Sequence, residues 1–98
     1  MTPDYLTGLI EDLKAELPTE RVVVVKVVPM SRAYGTTSLS ARGRITICIA
    51  AGLPQDQAED TLVHEWGHAM HLDEWEDHGD AWGMYQAQAY RILEQRRD

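Results

Sequence analysis

The spacing of apolar positions in the first part of the chain predicts a helix that is followed by a strand. Apolar residues recur three or four positions apart, as on one face of a helix, at Leu6, Leu9, Ile10, Leu13 and Leu17. We expect Thr2 to cap this helix, Pro3 to lie in its first turn and Pro18 to end it. The β-branched run at 21–28 then predicts a strand that is buried on both faces.

Two further strands follow before the second half of the chain. Residues 34–40 are rich in Thr and Ser and predict a weaker strand. Residues 44–50 alternate cleanly, with Ile45, Ile47 and Ile49 on one face. Gly43 marks a turn between these two strands. We therefore expect a small antiparallel meander of three strands.

The second half of the chain predicts two helices. Pro54 suits the first turn of one of them, and apolar residues recur along it at Ala58, Leu62, Trp66, Ala69 and Leu72. A polar stretch at 73–80 interrupts the pattern, and Asp80 is the expected N-cap of a last helix over 81–96. The order α-βββ-α-α predicts a single α+β domain that spans residues 1–98.

Composition narrows the possible partners and compartments. The chain has 98 residues and a net charge of -7, which disfavours unaided binding to nucleic acid or to anionic membranes. Its longest apolar run, VVVVKVV, is too short to span a bilayer, and the N-terminus does not look like a signal peptide. The lone Cys48 permits neither an intrachain disulfide nor a cysteine-based zinc site. We expect a soluble, cytoplasmic protein.

All four histidines lie between positions 64 and 78, and residues 64–68 read His-Glu-Trp-Gly-His. On a helix, residues four apart are about 40° apart around the axis and one turn along it, so His64 and His68 can bind one metal ion. Glu65 is displaced by about 100°, where it can reach a water on the metal rather than join as an equal ligand. This HExxH pattern predicts a zinc centre in which Glu65 acts as general base in hydrolysis. Because Leu62, Trp66 and Ala69 lie near the opposite side of the helix, the histidines should face a cleft.

A catalytic zinc site requires a third protein ligand. His71 shares the face of His64, but it is seven residues further along, about 10.5 Å in axial rise, which is too far for one ion. A returning segment should supply the ligand, and His78 suits this position because Gly79 lets the backbone turn sharply. The carboxylates that remain as alternatives are Glu74, Glu76, Asp77 and Asp80.

The stretch TLVHEWGHAMHLDEWEDHGDAW, residues 61–82, resembles the SprT-like zinc metallopeptidases, which include the Spartan proteases and the germ-cell nuclear acidic proteins. HEWGH and HGDAW match the two halves of the family pattern, an HExxH helix and an HG-x-x-aromatic segment that opens the next helix. The resemblance implies a minimal zincin-like domain with Glu65 as general base and zinc bound by His64, His68 and His78. It also implies that strand 44–50 pairs with an extended substrate peptide and that Trp82 has a packing role.

The motif and the resemblance together predict a zinc metalloendopeptidase in which Glu65 activates a zinc-bound water. The expected substrate is a flexible or unfolded protein segment, with no strong nucleic-acid binding and no membrane partner. Two alternatives remain: an adaptor module that is stabilised by structural zinc, and a metal-dependent hydrolase of a non-peptide amide. A tyrosine hydroxyl on the last helix, from Tyr85 or Tyr90, could stabilise an oxyanion, although packing in the core is the simpler interpretation for both.

Overall fold

In the part of the chain that the structure describes, three helices and three strands form the domain, in the predicted order α-βββ-α-α. The structure is a computed structural model that describes residues 2–71 and 80–97. The elements are α1 (Asp4–Glu16), β1 (Val23–Val28), β2 (Gly35–Leu39), β3 (Ile45–Ala50), α2 (Gln55–Ala69) and α3 (Asp80–Arg97). The α+β class is therefore confirmed. None of the helices in the described part is long and apolar enough to cross a membrane.

The sheet is mixed, so the predicted antiparallel meander is wrong. Its strand order is β1-β3-β2, with β1 parallel and β2 antiparallel to β3. The segment 29–34 passes over the end of β3. There the backbone N–H of Ala50 donates to the Tyr34 carbonyl at 2.8 Å, and the backbone N–H of Ala51 donates to the Val28 carbonyl at 2.8 Å. The turn after β2 then returns the chain between the two earlier strands. As a result β3 becomes the central strand.

Strand β1 lies at an edge of the sheet, which corrects the prediction that both of its faces are buried. Val23 is its buried residue, Lys26 is exposed, and its remaining valines are half-buried. The most deeply buried strand is β3, in which Ile45, Ile47 and Ile49 have no exposed surface and the alternate residues Thr46 and Cys48 are half-buried. The strand at the centre of the core is therefore the one in which isoleucine alternates with smaller residues, β3, and not the one with the longer run of apolar residues, β1.

The core lies between one face of the sheet and the three helices. The isoleucines of β3 pack with leucines of α1, with α2 through Leu62 and Trp66, and with α3 through Leu93. Prolines occupy the N-cap positions of α1 and α2, so Pro3 lies at the position that we expected Thr2 to take. The Pro3 carbonyl accepts from the N–H of Leu6 at 3.1 Å, and its extended ψ of 151° brings the chain into the helix.

Trp66 links α2 to the end of α1. Its side chain is fully buried, and its Nε1 donates to the Leu17 carbonyl at 3.1 Å. We expect Trp66→Phe to lower the free energy of unfolding by about 1–3 kcal/mol, because it leaves that buried carbonyl without its donor. Urea denaturation followed by circular dichroism measures the change. A variant with an unchanged unfolding midpoint would contradict a stabilising role for this hydrogen bond.

Candidate metal centre

Helix α2 places His64 and His68 one turn apart on the side away from the core. Their Nε2 atoms lie 3.2 Å from one another, and the rings meet edge to face with centroids 4.8 Å apart. Both side chains are half-buried, whereas Leu62 and Trp66 on the same helix are fully buried. The predicted division of the helix into a core face and a histidine face is confirmed.

The two imidazole nitrogens are spaced as ligands of one metal ion. Two nitrogens bound to tetrahedral zinc at 2.0–2.1 Å would be roughly 3.3–3.4 Å apart, close to the observed separation. The same distance suits an N–H···N hydrogen bond between the rings. With Glu65 included, the donor atoms of the three side chains all lie within 4.8 Å of one another. These residues therefore fit a divalent metal ion.

The carboxylate of Glu65 is held by a residue from the sheet. Thr37 of β2 donates its hydroxyl to Glu65 Oε1 at 2.6 Å, and the same hydroxyl lies 3.2 Å from the Glu65 carbonyl oxygen. Glu65 is only 8% exposed, so its charge lies in a largely water-excluded place beside the histidines. Sequence reasoning missed Thr37, since threonine belongs to no motif here and is 28 residues from Glu65.

Gly35 lets β2 approach α2 closely. A Cβ at this position would lie 2.6 Å from Thr61 Cγ2, 3.0 Å from Glu65 Cγ and 3.2 Å from the Cys48 carbonyl oxygen. Gly35 and Thr37 pair with Ile49 and Ile47, so they share the face of the sheet that meets the helices. The missing side chain at Gly35 thus brings Thr37 within reach of Glu65.

We expect Gly35→Ala to destabilise the protein by about 1–3 kcal/mol, because the added methyl group must push β2 away from α2. The same shift should lengthen the contact between Thr37 and Glu65. Gly83→Ala is the matched control: nothing lies within 4 Å of its added Cβ, and Gly83 lies on an exposed part of α3. This control should be neutral or stabilising by up to about 1 kcal/mol. Thermal unfolding of both variants measures the difference, and equal effects would contradict the close approach at Gly35.

A cleft of about 330 Å³ opens beside His64 and Glu65. It is lined by Tyr34, Gly35, Asp60, Thr61, His64, Glu65 and Tyr90. Burial, followed by the nearby Asp60 carboxylate, raises the pKa of the Tyr90 phenol above its usual value, so its hydroxyl stays a hydrogen-bond donor to a higher pH than that of a free tyrosine. Tyr85, the other tyrosine considered from the sequence, instead packs against the core, with its ring centroid 6.5 Å from that of His71.

Of the remaining predicted site residues, the structure describes His71 and the backbone of Asp80. His71 is buried at the end of α2, donates its backbone N–H to the His68 carbonyl at 3.0 Å, and lies outside the His64–Glu65–His68 group. His78, the expected third ligand, lies outside the described residues, as do Glu74, Glu76 and Asp77. Asp80 begins α3, but its side chain is not among those described.

Trp82 of α3 flanks the pair of histidines. Its ring centroid is 5.7 Å from those of both His64 and His68. An aromatic side chain at this position covers the imidazoles from the side of α3, which is consistent with the packing role that the resemblance implies. A metal held by the two histidines would therefore lie close to the contact between α2 and α3.

The edge of the sheet beside this centre belongs to β2, not to β3. Both sides of β3 are occupied, by β1 and by β2, which corrects the expectation that β3 pairs with a substrate. The backbone N–H of Ala50 donates to the Tyr34 carbonyl, and that of Ser40 donates to the Arg44 carbonyl. Because hydrogen-bonded positions alternate along an antiparallel pair, the even-numbered residues of β2 are those that bond to β3. The backbone N–H and C=O groups of Gly35, Thr37 and Leu39 therefore point to the outer edge, which is unpaired within residues 2–71 and 80–97.

No protein-family model, curated protein or solved structure matches this chain. The centre combines two converging imidazoles, a buried carboxylate and an adjoining cleft.

Proposed function

We propose that this protein is a zinc-dependent metallopeptidase that hydrolyses peptide bonds in flexible or unfolded protein segments. The observation that carries the proposal is the pair of Nε2 atoms of His64 and His68, 3.2 Å apart and beside the buried carboxylate of Glu65. The resemblance of residues 61–82 to SprT-like zinc metallopeptidases supports the same proposal of a zincin-like peptidase. Zinc is favoured over harder cations because imidazole nitrogens are among its preferred ligands.

Each residue of the centre has a defined task under this proposal. His64 and His68 would hold the ion, with His78 as the third ligand expected from the sequence. When bound, zinc supplies Lewis acidity, which polarises a carbonyl group and makes water a better nucleophile. Glu65 takes the proton of the attacking water and passes it to the nitrogen of the leaving amine. Its burial beside the cleft keeps this proton transfer away from bulk water.

The surroundings favour an extended peptide as substrate. The outward backbone groups of Gly35, Thr37 and Leu39 can pair with a peptide that adds to the sheet as a further strand. The cleft itself is open, and Tyr34 at its rim is 62% exposed. A folded protein would have to release a strand to reach this edge, whereas an unfolded segment is already extended.

A structural role for the metal is the second candidate. Trp82 contacts both histidine rings, so an ion at this position would tie α3 to α2 and stabilise a binding module. A structural site does not need a carboxylate beside its ligands, whereas a hydrolytic site needs one to take the proton of the attacking water. The position of Glu65 therefore favours the peptidase.

Cleavage of an unfolded protein separates the two candidates. Purified protein with bound zinc should cut reduced, alkylated casein, and mass spectrometry should identify new N-termini from hydrolysed peptide bonds. A stably folded protein of similar length should remain intact under the same conditions. A chelator should stop the cleavage and added zinc should restore it. Zinc-loaded protein that cuts nothing and unfolds in the chelator would instead establish the structural role.

A further inference from the structure

We propose that Thr37 positions the Glu65 carboxylate for proton transfer, as a residue that acts through the general base. This inference rests on the proposed function, because it assigns a role within the same centre. The contact that carries it is the hydrogen bond from Thr37 Oγ1 to Glu65 Oε1, which at 2.6 Å is short for a hydroxyl donor. No sequence motif includes Thr37, since it lies on a different element from the HExxH helix.

The hydrogen bond fixes one oxygen of the carboxylate and leaves the other to accept a proton. A carboxylate has two oxygens and accepts several hydrogen bonds, so occupation of Oε1 by Thr37 does not block Oε2. It does restrict rotation about the last bond of the glutamate side chain, which is otherwise broad. A general base has to lie within hydrogen-bond reach of the proton that it removes, so a fixed orientation raises the fraction of productive encounters.

The donor is itself held in place. Thr37 is β-branched and therefore has few side-chain rotamers available. It pairs across the sheet with Ile47, which is fully buried in the central strand. Gly35, two residues before it, allows the backbone of β2 to lie against α2. The hydroxyl is thus carried by a strand that pairs with β3 and packs closely against α2, which fixes its position.

The outer edge of β2 gives the same residue a second connection to the substrate. The backbone N–H and C=O of Thr37 point to this edge, while its side chain points to Glu65. A peptide that pairs with β2 would therefore bind to the very residue that orients the base. Thr37 would therefore hold the substrate peptide through its backbone and the Glu65 carboxylate through its hydroxyl.

Three variants test the positioning role. Thr37→Val keeps the shape but removes the hydroxyl, and we expect kcat to fall about 10- to 100-fold with KM changed less than about twofold. Thr37→Ser restores the hydroxyl and should recover most of the lost kcat. Thr36→Val is the matched control, because Thr36 is exposed and on the opposite face of the same strand, and its kcat should stay at the wild-type value. Zinc content should be the same in all three.

A double-mutant cycle tests the contact without using activity. Urea unfolding of Thr37→Val, of Glu65→Leu and of the double variant should show non-additive shifts in the midpoint, because both single changes break one hydrogen bond. Additive shifts would overturn the hydrogen bond itself. Coupling together with an unchanged kcat in Thr37→Val would overturn the positioning role and leave a purely structural contact. If the wild type cleaves nothing although coupling is present, the proposed function fails and the catalytic role of Thr37 fails with it.

Discussion

Replacing Glu65 by glutamine is expected to lower kcat for an unfolded protein substrate by about 10²- to 10⁴-fold, the usual contribution of a general base. Glutamine fills the same space, and its amide oxygen can still accept from Thr37, but the amide does not take up the proton of an attacking water. The metal and the fold should both be retained, because His64 and His68 are unchanged. Initial rates of casein cleavage, zinc content and melting temperature are to be measured on the same preparation.

Glu59→Gln is the matched control for this change. Glu59 lies on the same helix, is 6% exposed and pairs with Arg97 at 3.3 Å, but it does not line the cleft. This control should lose some stability, because its ion pair is weakened, while its kcat stays near that of the wild type. A Glu65→Gln variant with full activity, or an equal loss of kcat in both variants, would contradict the assignment of Glu65 as general base.

The second large effect is expected from removal of a histidine ligand. His68→Ala should weaken zinc binding by at least about 100-fold, since even outer contacts of a metal site contribute 10- to 100-fold. His78→Ala should do the same if the third ligand is as predicted. His71→Ala should keep the zinc affinity of the wild type, since His71 lies outside the group formed by His64, Glu65 and His68. Zinc bound after equilibration in a metal buffer is the quantity to compare.

His71 is buried, so its variant has to be compared on folded protein. Circular dichroism identifies the folded fraction, and zinc per folded chain then separates loss of a ligand from loss of stability. Folded His71→Ala that loses as much zinc as His78→Ala would contradict the predicted ligand set. If His68→Ala retains the zinc affinity of the wild type, the proposal that His64 and His68 bind the ion would be wrong.

Sequence patterns that span a few residues were sufficient to predict the helices and part of the site. The helices follow from apolar spacing, and the HExxH pattern lies on α2 with its histidines turned from the core, because both properties depend on residues within a few positions of each other. The strand order could not be obtained in this way. A run of valines is compatible with both a central strand and an edge strand. Strand β1 lies at the edge because the segment 29–34 passes over the end of β3.

The parts of the site that sequence reasoning missed depend on contacts between distant elements. Thr37 reaches Glu65 only because the register of β2 and the absence of a side chain at Gly35 bring the strand against α2. Tyr90, rather than Tyr85, lines the cleft because of how α3 is rotated against α2. Neither the register nor the rotation is encoded in a short motif.

Titration of zinc into the metal-free chain, with cleavage of unfolded casein measured at each step, tests the central claim most directly. Our account predicts that the rate rises in proportion to bound zinc and reaches its plateau at one ion per chain, and that Glu65→Gln binds the same ion without cleaving. Saturation with zinc that brings no cleavage, or cleavage that persists in excess chelator, would contradict it.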